Sequence, residues 1–130
     1  MKNIAISEDH LFRKVYAKGQ KVFCRHIAVY VLTDYRASRL ARENPQKKRI
    51  NRVGLTVTKK LGHAVVRTRT RRILRAAYQM LEKEKNVKKG FLVVIVAKEA
   101  AIGAKTQDIY KDLSYAFSKL GLFNEANNLG

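Results

Sequence analysis

The strongest chemical signal in this chain is a concentration of arginine. Arg67, Arg69, Arg71, Arg72 and Arg75 fall within nine residues, and Lys59 and Lys60 stand just ahead of them. A guanidinium offers a planar fork of N–H donors that matches two phosphate oxygens at once. From Asn44 through Leu81 there is no acidic residue at all, while eleven lysines and arginines accumulate. Exposed faces that serve only solubility usually mix both signs. The spacing therefore points to phosphate binding, and the competing reading is a solvated charged face.

The element that must position these cations is a helix from about Ala64 to Lys85. At 100° per residue, Val66, Thr70, Ile73, Leu74, Ala77, Met80 and Leu81 share one face, which must be its core side. Arg67, Arg71 and Arg75 form a row on the other side, with Arg72 beside them and Arg69 on the far flank. These charges crowd the N-terminal half of the helix, where the macrodipole disfavours them. A local rule broken without visible compensation suggests function. The same helix end presents backbone amides that accept anions.

A second feature precedes the helix. Residues Arg52 to Thr58 alternate, with Val53, Leu55 and Val57 facing one way and Arg52, Gly54, Thr56 and Thr58 the other. That second face is small and polar. If Tyr30 shares it, and Phe12 and Tyr16 border it from a first helix, the product is a groove with aromatic walls and a hydroxyl-rich floor. Rings beside a basic rim hold unpaired nucleotides, because every base offers a π-face. The competing reading makes Phe12, Tyr16 and Tyr30 core residues.

Autonomous catalysis finds no support. His10, His26 and His63 are scattered, and no carboxylate pair or metal-ligand spacing accompanies them. His63 is placed to cap or start the arginine helix, and the glycines at 54 and 62 form no P-loop. Cys24 stands alone, which excludes an internal disulfide and a cysteine metal cluster and fits a small strand residue.

The rest of the chain reads as one α+β domain over residues 1–130, without repeats or a linker. Ser7 can cap a first helix carrying Leu11, Phe12, Val15 and Tyr16, and Gly19 supplies a stop. Ile27 to Leu32 is a strand apolar on both faces, so both faces should be covered. Residues 23–25 either extend that strand or form a separate short one. Residues 91–97 form a strongly buried strand. A last helix opens near Thr106, packs Ile109, Leu113, Phe117 and Leu120 along one stripe, and ends at Gly121. Residues 34–51 are polar and basic with Pro45, an 18-residue connection expected to be a mobile loop, with a short helix over 35–43 as the alternative. Residues 124–130 are expected to fray.

Composition sets the class of partner. The chain carries 28 Lys and Arg against 10 Asp and Glu, a formal net charge of +18, and 46% of its residues are apolar. It should fold, and its charge calls for a polyanion. No segment approaches the ~18 consecutive apolar residues of a spanning helix, and Met1-Lys2-Asn3-Ile4 lacks the apolar core of a signal peptide. The expectation is a cytoplasmic protein without a membrane partner or an obligate protein partner.

Arg52-Val53-Gly54-Leu55-Thr56-Val57-Thr58-Lys59-Lys60, running through Gly62-His63-Ala64-Val65 into Arg67-Thr68-Arg69-Thr70-Arg71-Arg72, resembles the signature of the bacterial ribonuclease P protein subunit. Leu11-Phe12-Arg13-Lys14-Val15-Tyr16 with Gly19, the Ala28-Val29-Tyr30 strand and the strand at 91–97 extend the likeness over about residues 7–123, apart from 34–51. The resemblance implies a four-stranded sheet with flanking helices in the order α-β-β-β-α-β-α, with a left-handed βαβ crossover. It implies that a catalytic RNA subunit and its Mg²⁺ carry out the endonucleolytic 5′ maturation of precursor tRNA. The protein would contribute no catalytic residue and no metal ligand. Its central cleft would bind the single-stranded 5′ leader through Phe12, Tyr16, Tyr30, Thr56, Lys59, Arg67 and Thr68. Lys60, Arg69, Arg71, Arg72 and Arg75 would dock the RNA subunit. This sequence departs from the family in having Thr68 and His63 where asparagines are usual, and its 34–51 segment is longer. A ribosomal or RNA-chaperone protein and a self-sufficient nuclease are the other classes to weigh. The ordered motif argues against the first, and the missing catalytic constellation against the second.

Overall fold

The computed structural model describes residues 4–6, 9–34 and 51–124. Along the chain run β1 (Ile4–Ala5), α1 (Asp9–Lys18), β2 (Gln20–Phe23), β3 (Ile27–Thr33), β4 (Arg52–Thr56), α2 (Ala64–Glu84), β5 (Phe91–Ala97) and α3 (Thr106–Lys119), with single 3₁₀ turns at Lys59–Leu61 and Glu99–Ala101. The sheet order is β1-β4-β5-β3-β2. β5 pairs antiparallel with β3 and parallel with β4, so β4, α2 and β5 make a βαβ unit. The expected single domain with a four-stranded mixed sheet and three helices is present, and β1 adds a two-residue strand parallel to β4 at the edge.

Both faces of the central strands are covered, as their unbroken apolar sequences require. Ile27, Val29 and Val31 of β3 join Val93, Ile95 and Ala97 of β5 under α2 and α3, whose Leu74, Ala77, Leu81, Ile109, Leu113 and Phe117 complete the main core. Leu92 and Val94 face the other way, toward Leu11 and Val15 of α1 and Ile6. α1 is the only described helix on that side, and part of that face stays open.

Of residues 23–25 only Phe23 lies in a strand, the separate β2, which begins at Gln20; Cys24 and Arg25 follow its end. It forms a hairpin with β3 in which Lys21 pairs with Tyr30 and Phe23 with Ala28. Beyond it, the backbone N–H of His26 and its Nδ1 both meet Asp112 Oδ2 of α3, at 2.8 and 3.0 Å. Cys24 lies just past β2, half-buried, and burial pushes its thiol pKa up, which makes it a poor nucleophile.

The expectations for Ser7, for most of 34–51 and for most of 124–130 lie outside the described residues. The two ends of the long connection are described, and both are buried and bonded. Arg52 donates to the Asp34 carboxylate through Nε at 2.7 Å and Nη2 at 3.0 Å. The Asp34 N–H bonds Gly90 O at 2.9 Å. Asn51 donates to Tyr78 Oη at 2.9 Å and to Lys88 O at 3.1 Å, and accepts the Phe91 N–H at 3.0 Å. Burial drives the Tyr78 phenol pKa far upward, so it stays protonated and donates to Glu82, which also pairs with Lys89.

Gly54 ties the fold to the open face. A Cβ built there would lie 2.6 and 2.7 Å from ring atoms of Phe12. The missing side chain is what lets Phe12 lie directly on β4. Gly54→Ala should therefore displace that ring and cost about 1–3 kcal/mol, the usual penalty of overpacking. Chemical denaturation checks this, and an unchanged midpoint would show that Phe12 is free to move.

Candidate nucleic-acid interface

Register places the pieces of the groove. On the α1 side of the sheet, Thr56 of β4 pairs with Val96 of β5, Val96 with Ala28 of β3, and Ala28 with Phe23 of β2. The next row on the same face runs Gly54, Val94, Tyr30, Lys21. Side chains of paired residues point to one face, so Tyr30 does share the small polar face of β4. α1 lays Phe12 over Gly54, and Tyr16, one turn later, reaches Thr56 Oγ1 with its hydroxyl at 3.3 Å.

The rings form a connected row. The Phe12 and Tyr16 centroids are 6.5 Å apart. Tyr16 and Tyr30 meet edge to face at 4.9 Å and 87°, and Tyr30 and Phe23 do so at 6.2 Å and 89°. Such contacts lock ring orientation and add roughly 0.5–1.5 kcal/mol each beyond burial. Tyr30 is half-buried between its neighbours, while Tyr16 is 37% and Phe23 61% exposed. Of the expected cleft residues, the structure brings Phe12, Tyr16, Tyr30 and Thr56 together. Phe23 was absent from the expected set and is the most open ring of the row. The signal that could have found it was alternation: Val22 packs toward the main core, so Lys21 and Phe23 must face the groove.

The basic element starts from the end of β4 that carries Thr56. Lys59 and Lys60 sit exposed on the 3₁₀ turn, and Gly62 follows at φ 148°, a backbone conformation that favours glycine. A Cβ on Gly62 would also press to 3.0 Å from Val66. α2 then opens with His63 as N-cap, whose side chain makes no capping bond. The first amides of α2 therefore point outward at the same place as the cations.

Thr70, Leu74, Ala77, Tyr78 and Leu81 are the buried residues of α2. The expected core face holds at Thr70, Leu74, Ala77 and Leu81, while Val66, Ile73 and Met80 are only half-buried and Tyr78 joins the face unforeseen. Thr70 satisfies its hydroxyl on Val66 O at 2.9 Å. Arg69, Arg72 and Arg75 are exposed, and so is Thr68, so the departure at 68 faces solvent instead of packing. Arg67 and Arg71 are half-covered, and Arg67 Nε is buried without a hydrogen-bond partner. Among the described residues, none of these five arginines, nor Lys59 or Lys60, has a carboxylate within 4.0 Å. Seven cations without internal partners are available to an external anion.

The bare N-cap gives a test of its own. His63→Asp supplies a capping oxygen and a negative charge at the positive helix end, worth about 1 kcal/mol and a rise of roughly 3–5 °C in Tm. The same charge should weaken RNA binding, while His63→Asn should stabilise without that loss. Melting curves paired with RNA titrations check both, and two variants that melt like the parent would show that the helix start needs no cap.

The described residues include no group of three or more His, Cys, Asp and Glu placed to hold a metal ion. No described helix is long and apolar enough to cross a membrane.

A family model described as Ribonuclease P matches residues 1–121. The chain is 35% identical over 129 residues to the ribonuclease P protein component of Clostridium acetobutylicum, covering 98% of both chains. It is 34% identical over 115 residues to the corresponding component of Alkaliphilus oremlandii, covering 88% of this chain and 89% of that one. The solved structure of the Staphylococcus aureus RNase P protein superposes with a TM-score of 0.72 at 24% identity, over 95% of this chain and all of that one, a likeness of fold.

Proposed function

This chain belongs to the ribonuclease P protein family, and we propose that it serves that endoribonuclease by holding the single-stranded 5′ leader of precursor tRNA while docking the catalytic RNA. Family membership makes it a protein component of a ribonucleoprotein that processes tRNA and a partner of an RNA subunit. The observation that carries the finer reading is the set of seven cations with no partner among the described residues, which start where the ring-lined groove ends. Phe12, Tyr16, Tyr30 and Thr56 form the groove, and in this reading Lys59, Arg67 and Thr68 extend the leader contact toward α2. Leader bases stack on the rings, and their phosphates meet the basic flank. Arg67, with its orphaned Nε, gains a partner when a phosphate arrives.

Lys60, Arg69, Arg71, Arg72 and Arg75 dock the RNA subunit in this reading. Bond cleavage belongs to that RNA, and the protein supplies position and affinity. In this reading Mg²⁺ belongs with the RNA subunit and the substrate, and no step runs through it here. A cytoplasmic site follows from the substrate. The test is to incubate precursor tRNA with the pure protein, with the RNA subunit, and with both. Acceleration only in the third mixture is expected; cleavage by the protein alone would overturn the reading.

A further inference from the structure

Phe23 leaves 61% of its surface open on an edge strand, where a large apolar side chain normally invites association with other chains. Its surroundings give it a different use. It stands at the end of the row Thr56, Val96, Ala28, Phe23, three strand spacings or about 14 Å across. Ala28, small and buried, lies between Val96 and Phe23 in that row, while Tyr16 meets Thr56 at its other end. Tyr30 braces Phe23 edge to face, which holds the Phe23 ring in a fixed orientation. Lys21 lies on the same strand and the same face, exposed and opposite Tyr30. Lys98 is held at the end of the same strand, its ammonium donating at 2.6 Å to the carbonyl of Cys24, the residue after Phe23. An open ring flanked by two cations, continuous with other rings, matches the composition of a single-stranded RNA subsite.

We propose that Phe23 forms an additional nucleotide subsite at the β2 edge, with an unpaired RNA base stacked on its ring and the adjoining phosphate neutralised by Lys21. This rests on the leader-cleft reading and extends the contacted leader beyond what Tyr16 and Tyr30 hold. Stacking reads the π-face common to all bases, so the subsite lengthens the contact without adding sequence preference.

The test is a series of precursor tRNAs with leaders of increasing length, bound to the holoenzyme assembled with wild-type, Phe23→Ala or Tyr30→Ala protein. With Phe23→Ala, affinity should match wild type for the shortest leaders and fall by roughly tenfold once the leader is long enough to reach β2. Phe23→Tyr should restore it and Phe23→Leu should not. If Phe23→Ala equals wild type at every length while Tyr30→Ala is impaired, the subsite is overturned and the cleft stands. If both variants equal wild type, the cleft reading fails as well. Full rescue by leucine would also overturn the proposal, since the ring would then be dispensable. Because Phe23 is exposed, its variants should lose little beyond the edge contact to Tyr30 and stay folded under the assay conditions.

Discussion

Tyr30→Ala is expected to erase most of the preference for precursor over mature tRNA while leaving a folded protein that still binds the RNA subunit. Tyr30 is the middle ring of its row, touching Tyr16 on one side and Phe23 on the other. Removing it takes away a stacking surface and releases both neighbours from their fixed orientations. Each base–aromatic stack is worth about 1–3 kcal/mol, so one to two orders of magnitude in leader-dependent affinity are at stake. Tyr30 is also half-buried, so its loss should cost stability, though less than the about 3–5 kcal/mol of a fully buried aromatic. Tyr16→Ala should show the same loss of discrimination with a smaller effect on melting, because Tyr16 is more exposed. Mature tRNA lacks the stacked nucleotides and is the internal control. Variants that melt early yet discriminate normally would make these rings core residues and leave the basic helix as the sole contact.

The second large effect is electrostatic. If Lys60, Arg69, Arg71, Arg72 and Arg75 each neutralise a phosphate of the RNA subunit, the logarithm of affinity for it should fall against the logarithm of salt with a slope of about −3.5 to −4.5. Arg69 and Arg72 are exposed and have no partner among the described residues, so removing them strands no buried group there. Replacing both with alanine should flatten the slope by about 1.4–1.8 and leave thermal stability nearly unchanged. Titrations of the RNA subunit at several potassium concentrations give the number directly. An unaltered slope would remove these two residues from the RNA interface.

Much of this architecture could be read from residue patterns, and the exceptions have identifiable causes. β5 was legible residue for residue, because an unbroken apolar run of its length bounded by Gly90 and Lys98 can only be a buried strand. α2 was legible through its period. β1 was not, since two residues carry no period, and β2 was blurred because three of its four side chains are exposed on an edge. Tyr78 escaped the core face because its burial depends on Asn51, which lies 27 positions away and gives its hydroxyl a partner. The groove was legible as a set of rings, yet its floor was not: which residues lie abreast depends on strand register, and register placed Phe23 in line with Thr56. The half-covered state of Arg67 likewise comes from tertiary packing, which a helical wheel does not contain.

The bonded ends of the long β3–β4 connection separate the history of that segment from the history of the sheet. Asp34 grips Arg52, and Asn51 is held by α2 and by the entry to β5, so both strands are fixed before the connection is counted. For a flexible segment closed between two such anchors, doubling its length would cost only about 0.6 kcal/mol of closure entropy. Added length in the interval between the anchors should therefore leave the anchored strands paired. For the same reason it is a splice point: a fluorophore-bearing peptide, an affinity handle or new chain termini introduced between the anchors should leave the ring row and the arginine helix in register.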